Sequence, residues 1–125
     1  MKGDKILHKE LSYQVMKAVF EVHNMLGAGF VESVYEDALA YELELRGIAF
    51  ENQKVVTVRY KERVVGTHRL DFAVDGKIVL ELKAVSALTD VFKQQTLSYL
   101  KATDLKLGIL INFGTPRVEY VRIVN

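Results

Sequence analysis

Cysteine is absent from the 125 residues. Disulfides, thiolate metal sites and a cysteine nucleophile are therefore excluded, and any chemistry must come from carboxylate, imidazole, amide and hydroxyl groups. Such ligands suit Mg²⁺ or Mn²⁺. Proline occurs once, as Pro116 in a Gly-Thr-Pro turn, and there is no low-complexity stretch, repeat or linker, so residues 1–125 read as a single domain. No run of 18 apolar residues is present, and Met1 to Glu10 is too polar for a signal-peptide core, which predicts a cytoplasmic protein without a membrane partner. A strong excess of one charge is missing too: 17 Lys and Arg face 16 Asp and Glu, for a net of +1. Tight binding of a polyanion by a lone copy is not advertised, and a homo-oligomer or a partner protein would help to supply it. The halves differ mildly, with 8 basic and 10 acidic groups in residues 1–62 against 9 and 6 in 63–125.

What is present is an ordinary globular composition, 50% hydrophobic and 26% charged. Leu11, Val15, Ala18, Val19, Val22, Met25 and Leu26 recur at helical spacing and stop at Gly27-Ala28-Gly29. A second helix is predicted from Val31 to Arg46, with Gly47 where a left-handed C-terminal residue is needed. Strands follow at Lys54–Tyr60, Val64–Val74 and Lys77–Val85, the last two flanking Asp75-Gly76. A third helix is predicted over Thr89–Thr103, then an almost wholly apolar strand over Leu105–Phe113, read as buried on both faces, and an edge strand over Arg117–Val124. The fold class is α/β, with helices covering the sheet.

Chemistry enters at the hairpin. Alternation separates Leu70, Phe72, Ile78, Leu80 and Leu82 from Arg69, Asp71, Ala73, Lys77, Val79, Glu81 and Lys83. A two-residue loop would set Asp71 opposite Leu80 and mix the sets, so a three-residue loop, Val74-Asp75-Gly76, is expected. It pairs Ala73 with Lys77, Phe72 with Ile78 and Asp71 with Val79, and Asp71, Glu81 and Lys83 then emerge on one face. Asp71 and Glu81 can hold a divalent cation against a phosphodiester oxygen, while Lys83 serves the attacking water or the developing charge. The competing reading is a solvated face with cross-strand pairs such as Arg69 with Glu81, but three ions under a covering helix would be costly unless they form a site or a network. On the third helix, Leu88, Phe92, Gln95 and Tyr99 define an inward stripe in which Gln95 is the polar member. His23 reads as a packed histidine, and His8 and His68 have no supporting context.

Gly29-Phe30-Val31-Glu32-Ser33-Val34-Tyr35 matches the motif of the GxxExxY protein family. Glu21-Val22-His23, Leu26-Gly27-Ala28-Gly29, the Asp71 strand, Glu81-Leu82-Lys83-Ala84-Val85, Gln95 with Tyr99, and Leu110-Ile111-Asn112-Phe113-Gly114 resemble that family as well. The family looks like a branch of the PD-(D/E)XK nuclease superfamily, which implies an αβββαβ core with an extra N-terminal helix and a C-terminal edge strand. The resemblance implies a metal-dependent nuclease acting on DNA or RNA. Asp71 and Glu81 become ligands of Mg²⁺ or Mn²⁺, Leu82 a backbone-carbonyl ligand, Lys83 the catalytic lysine, Gln95 a helix residue that supports the site and Glu32 an acidic residue facing the metal or its water. Leu70 stands where the motif has proline. Glu32 reads equally well as a first-turn acid favoured by the helix dipole, and Tyr35 as a core aromatic with a bonded hydroxyl. The alternatives are a nuclease-fold binding module and a subunit that acts only with partner domains.

Overall fold

The computed structural model describes residues 6–125. The order is α1 (Lys9–Leu26), α2 (Glu32–Leu45), β1 (Phe50–Tyr60), β2 (Arg63–Val74), β3 (Ile78–Lys83), α3 (Asp90–Thr103), β4 (Leu107–Asn112) and β5 (Glu119–Val124). These are the αβββαβ core, the extra N-terminal helix and the C-terminal edge strand expected from the sequence. One five-stranded sheet runs in the order β1-β2-β3-β4-β5, with β3 and β4 parallel and every other pair antiparallel. The parallel pair needs a crossover, and α3 supplies it.

Helices cover both faces because β4 and the first half of β3 are apolar on both. Val15, Val19 and Val22 of α1 and Tyr35, Leu39 and Leu43 of α2 pack on Phe72, Ile78, Leu80, Ile109 and Ile111. On the other face Leu100 of α3 packs on Leu70 and Val79. Tyr35 is fully buried, stacked on Phe113 with centroids 4.6 Å apart. Its hydroxyl donates to the Gly27 carbonyl and accepts from the Phe30 N–H, which ties the α1–α2 loop to the core and agrees with its reading as a bonded core aromatic. His23 is likewise packed, with Nε2 3.0 Å from the Thr115 carbonyl.

Three expectations need correction. The hairpin loop has three residues, but they are Asp75-Gly76-Lys77: Val74 pairs with Ile78, Ala73 with Val79 and Phe72 with Leu80. Asp75 and Gly76 both sit at positive φ (52° and 63°), so the turn is the mirror-image type, closed by Lys77 N–H on the Val74 carbonyl, with Lys77 as the extra residue. The odd loop length keeps the expected faces at Asp71, Phe72, Ile78, Leu80, Glu81 and Lys83.

Leu70 does not share a face with Phe72, however. Gln53, opposite Asp71, is left-handed at φ 56°. The ribbon swivels there, so Leu70 turns under α3 while Phe72 stays under α1 and α2. The inward stripe of α3 is also rotated by one residue. Thr96 is 1% exposed and Gln95 is exposed. Thr96 tolerates burial because its hydroxyl donates to the Phe92 carbonyl of its own helix.

Candidate active site

Strands β2 and β3 part company beyond Phe72 and Leu80, and the candidate site fills the fork. Where the ladder would continue, side chains take over its hydrogen bonds. The Asp71 N–H donates to Glu81 Oε2 at 3.0 Å, and the Leu82 N–H donates to Asp71 Oδ2 at 2.7 Å. Each carboxylate thus satisfies an amide on the facing strand, and the backbone holds the two acids side by side.

Burial sets their charge. Desolvation raises the Asp71 carboxyl to about 6, reinforced by the nearby Glu36 and Glu32 and opposed by the Leu82 N–H and Lys83. Glu81, 7% exposed, is pushed to about 8, first by desolvation and then by Asp71. Two acids that resist ionising beside one another form a site that a cation would stabilise. Among the described residues no three acidic or imidazole side chains converge as a ready-made cluster. A Mg²⁺-type ion does not need one, since it commonly keeps several waters and takes one or two carboxylates. Asp71 and Glu81 fit that requirement, and the Leu82 carbonyl lies on the same strand as Glu81.

Lys83 lies two residues beyond Glu81, half-buried, with Nζ 4.6 Å from the centre of the Phe92 ring on α3. Among the described residues it forms no ion pair within 4.0 Å. Its charge is felt by Asp71, Glu81 and His68 nevertheless. The end of β3 is fixed by β4 and its exit. Phe113 N–H donates to the Lys83 carbonyl at 2.8 Å, while Asn112, fully buried, accepts from Val85 N–H at 3.0 Å and donates to the Val85 carbonyl at 2.9 Å. Gly114 completes the clamp, since a Cβ there would stand 2.5 Å from the Val85 backbone nitrogen. The Asn112-Phe113-Gly114 run is thereby explained as a device that positions the strand carrying Glu81 and Lys83.

The other two sequence candidates stand at the margin. Glu32 opens α2, exposed, close enough for its charge to act on Asp71. Gln95 is exposed and its side chain makes no hydrogen bond among the described residues.

Sequence reasoning missed two neighbours. Glu36, one turn after Glu32, accepts from Asn52 Nδ2 at 2.9 Å and from Gln53 Nε2, tying α2 to the swivel at Asp71. The spacing of Glu32 and Glu36 on one helix face was the available signal. His68 stacks on Tyr99, with ring centroids 3.7 Å apart, and its Nε2 lies 3.7 Å from Glu81 Oε1 without a hydrogen-bond partner among the described residues. Burial and then Lys83 lower its pKa, which favours the neutral ring. Nothing in the local sequence marks His68, because the swivel at Gln53 is what turns it toward α3.

The sequence profile of the PD-(D/E)XK nuclease superfamily matches residues 9–123. No curated protein matches the chain. Among solved structures, the crystal structure of SSO0001 is similar in fold, with a TM-score of 0.61 at 20% identity over 75% of this chain and 50% of that one. The chain thus spans about half the length of SSO0001. Among the described residues no helix is long and apolar enough to cross a membrane. With the profile covering nearly all of α1 through β5, the chain belongs to the PD-(D/E)XK nuclease superfamily.

Proposed function

We propose that this domain, residues 1–125, is a metal-dependent nuclease that hydrolyses phosphodiester bonds of DNA or RNA in the cytoplasm. The observation that carries the reading is the pairing of Asp71 and Glu81 in the fork of β2 and β3, with Lys83 beside them and in no ion pair among the described residues. The Glu32 to Tyr35 segment supports placing the chain in the GxxExxY branch, since Tyr35 closes the loop that presents Glu32.

Asp71 and Glu81, with the Leu82 carbonyl, would hold Mg²⁺ or Mn²⁺. When bound, such an ion supplies Lewis acidity toward a phosphate oxygen and lowers the pKa of water. Lys83 presents its ammonium to the charge that builds on the phosphate oxygens, or holds the attacking water. Phe92 restrains that ammonium, and the Asn112 clamp fixes the strand beneath it. Glu32 and Glu36 add negative charge on the α2 side, where they orient water rather than substrate.

The test is hydrolysis of single- and double-stranded DNA and RNA by the purified protein with Mg²⁺ or Mn²⁺, with Asp71→Ala as control. Metal-dependent cleavage that disappears in the variant is expected. A nuclease-fold binding module, or a subunit needing a partner, would bind nucleic acid without cleaving it.

A further inference from the structure

Beyond the fork, β1 and β2 continue as a two-stranded ribbon with no third strand beside them among the described residues. Their pairing runs from Phe50 with Val74 to Tyr60 with Arg63, whereas β3 accompanies β2 only as far as Phe72. From Lys54 to Tyr60 the ribbon extends roughly 20 Å at the usual rise per residue. Its charge is unlike that of the rest of the chain. Residues 53–70 hold Lys54, Arg59, Lys61, Arg63 and Arg69 against Glu62 alone, a balance of +4 in a protein of net +1, so the remainder carries −3. Arg59, Lys61, Arg63 and Arg69 are exposed and form no ion pair among the described residues. Arg69 is two residues from Asp71 in the sequence, and the basic series runs from there to the tip.

We propose that this ribbon grips duplex DNA and lays its phosphodiester backbone over the Asp71–Glu81 site. The inference rests on the nuclease reading for the identity of that site, but the charge distribution supports it separately. A projecting, basic ribbon beside an acidic site separates two tasks: the cations hold phosphates that are not cut, and the carboxylates stay available for the metal. Duplex DNA is favoured because the B-form major groove admits a two-stranded β-ribbon, whereas the A-form groove of RNA is deep and narrow. A single strand would call for a row of stacking aromatics, and within residues 53–70 the only aromatic beyond His68 is Tyr60. The ribbon's Val55, Val58, Val64 and Val65, all exposed, are strong strand formers, which suits a ribbon that must hold its shape without a neighbour.

The experiment is fluorescence anisotropy of a short labelled DNA duplex with the metal-free protein across a salt series. It compares wild type, Arg59→Ala/Lys61→Ala/Arg63→Ala, and a charge-matched control, Lys9→Ala/Lys17→Ala/Lys101→Ala, on exposed helix positions. The ribbon variant should lose affinity on the order of a hundredfold, and its salt slope should shrink by about 2 to 3, near 0.9 for each phosphate contact removed. The control should stay within about threefold of wild type. Hydrolysis of the small diester bis(p-nitrophenyl) phosphate with Mn²⁺ should be unchanged in the ribbon variant, since that substrate does not reach the ribbon. No small-diester hydrolysis by wild type would count against the nuclease reading while leaving the binding comparison decisive for the ribbon. Equal DNA affinity and salt slope in wild type and ribbon variant would overturn the proposal. Tighter binding of single strands or RNA, with the same dependence on the ribbon, would overturn the assignment to duplex DNA. Sedimentation showing a wild-type dimer that the ribbon variant dissociates, with DNA binding untouched, would make the ribbon an interface between copies instead.

Discussion

Asp71 and Glu81 hold each other's strands: the Asp71 N–H donates to the Glu81 carboxylate at 3.0 Å, and the Asp71 carboxylate accepts from Leu82 N–H at 2.7 Å. The bonds replace the next rung of the β2–β3 ladder, so the strands can part without orphaning these amides. An acidic pair built into the backbone in this way is preorganised, and its cost is electrostatic.

That cost sets a pH dependence for the metal-free protein. Both carboxyls have folded values, about 6 and about 8, above their ordinary 3.8 and 4.5. A raised folded value means that the protonated group favours the fold, a contribution complete below about 4 and lost as pH rises through about 6 and then about 8. The melting temperature without metal should therefore fall across that window, and saturating Mn²⁺ should restore most of the loss at the upper end. A flat profile would contradict the placement of two desolvated acids at the fork.

Glu81→Gln separates charge from shape. The amide oxygen can still accept from Asp71 N–H, so the fork should survive and the metal-free protein should melt higher than wild type near pH 8. Mn²⁺ affinity measured by calorimetry should drop at least tenfold, about 1.4 kcal/mol. Unchanged affinity would move the metal away from Glu81.

His68 stacks on Tyr99 with its Nε2 3.7 Å from Glu81 Oε1, and a positioning role toward that carboxylate is open to test. His68→Phe keeps a ring on Tyr99 but removes the nitrogen. It should lower kcat by roughly tenfold, in the range for loss of an outer-shell partner, with KM and melting temperature near wild type. A variant as active as wild type would reduce His68 to packing.

The clamp at the end of β3 should be costly to disturb. Asn112→Ala strands the Val85 N–H and carbonyl, and Gly114→Ala drives a methyl into the same backbone. Each should destabilise by about 2 kcal/mol or more, read as a fall in melting temperature. Wild-type stability in both would show that the exit of β4 does not fix β3.

Much of this was legible in the sequence. The element order came from apolar periodicity, and an odd hairpin loop followed from keeping Asp71 and Phe72 on opposite faces. The parts that were not legible share one cause, backbone conformation that side-chain pattern does not report. Gln53 at positive φ reverses the facing of Leu70 and turns His68 toward α3. Left-handed Asp75 and Gly76 shift the loop by one residue. Thr96 displaced Gln95 from the interior of α3 because a hydroxyl can bond to its own helix and a longer amide cannot do so as readily. Glu36 was overlooked because it lies outside the GxxExxY match, although it is spaced one turn from Glu32.

Lys83 carries the central claim, since it stands beside the acids without pairing to them. Single-turnover cleavage of labelled DNA at saturating Mn²⁺, wild type against Lys83→Ala, is the most direct measurement, with melting temperature and Mn²⁺ affinity taken on the same samples. A rate lower by on the order of a hundredfold or more, with folding and metal affinity near wild type, is expected from loss of one positioned electrostatic donor. Turnover equal to wild type, accompanied by a lower melting temperature without metal, would assign Lys83 to charge balance and contradict the account.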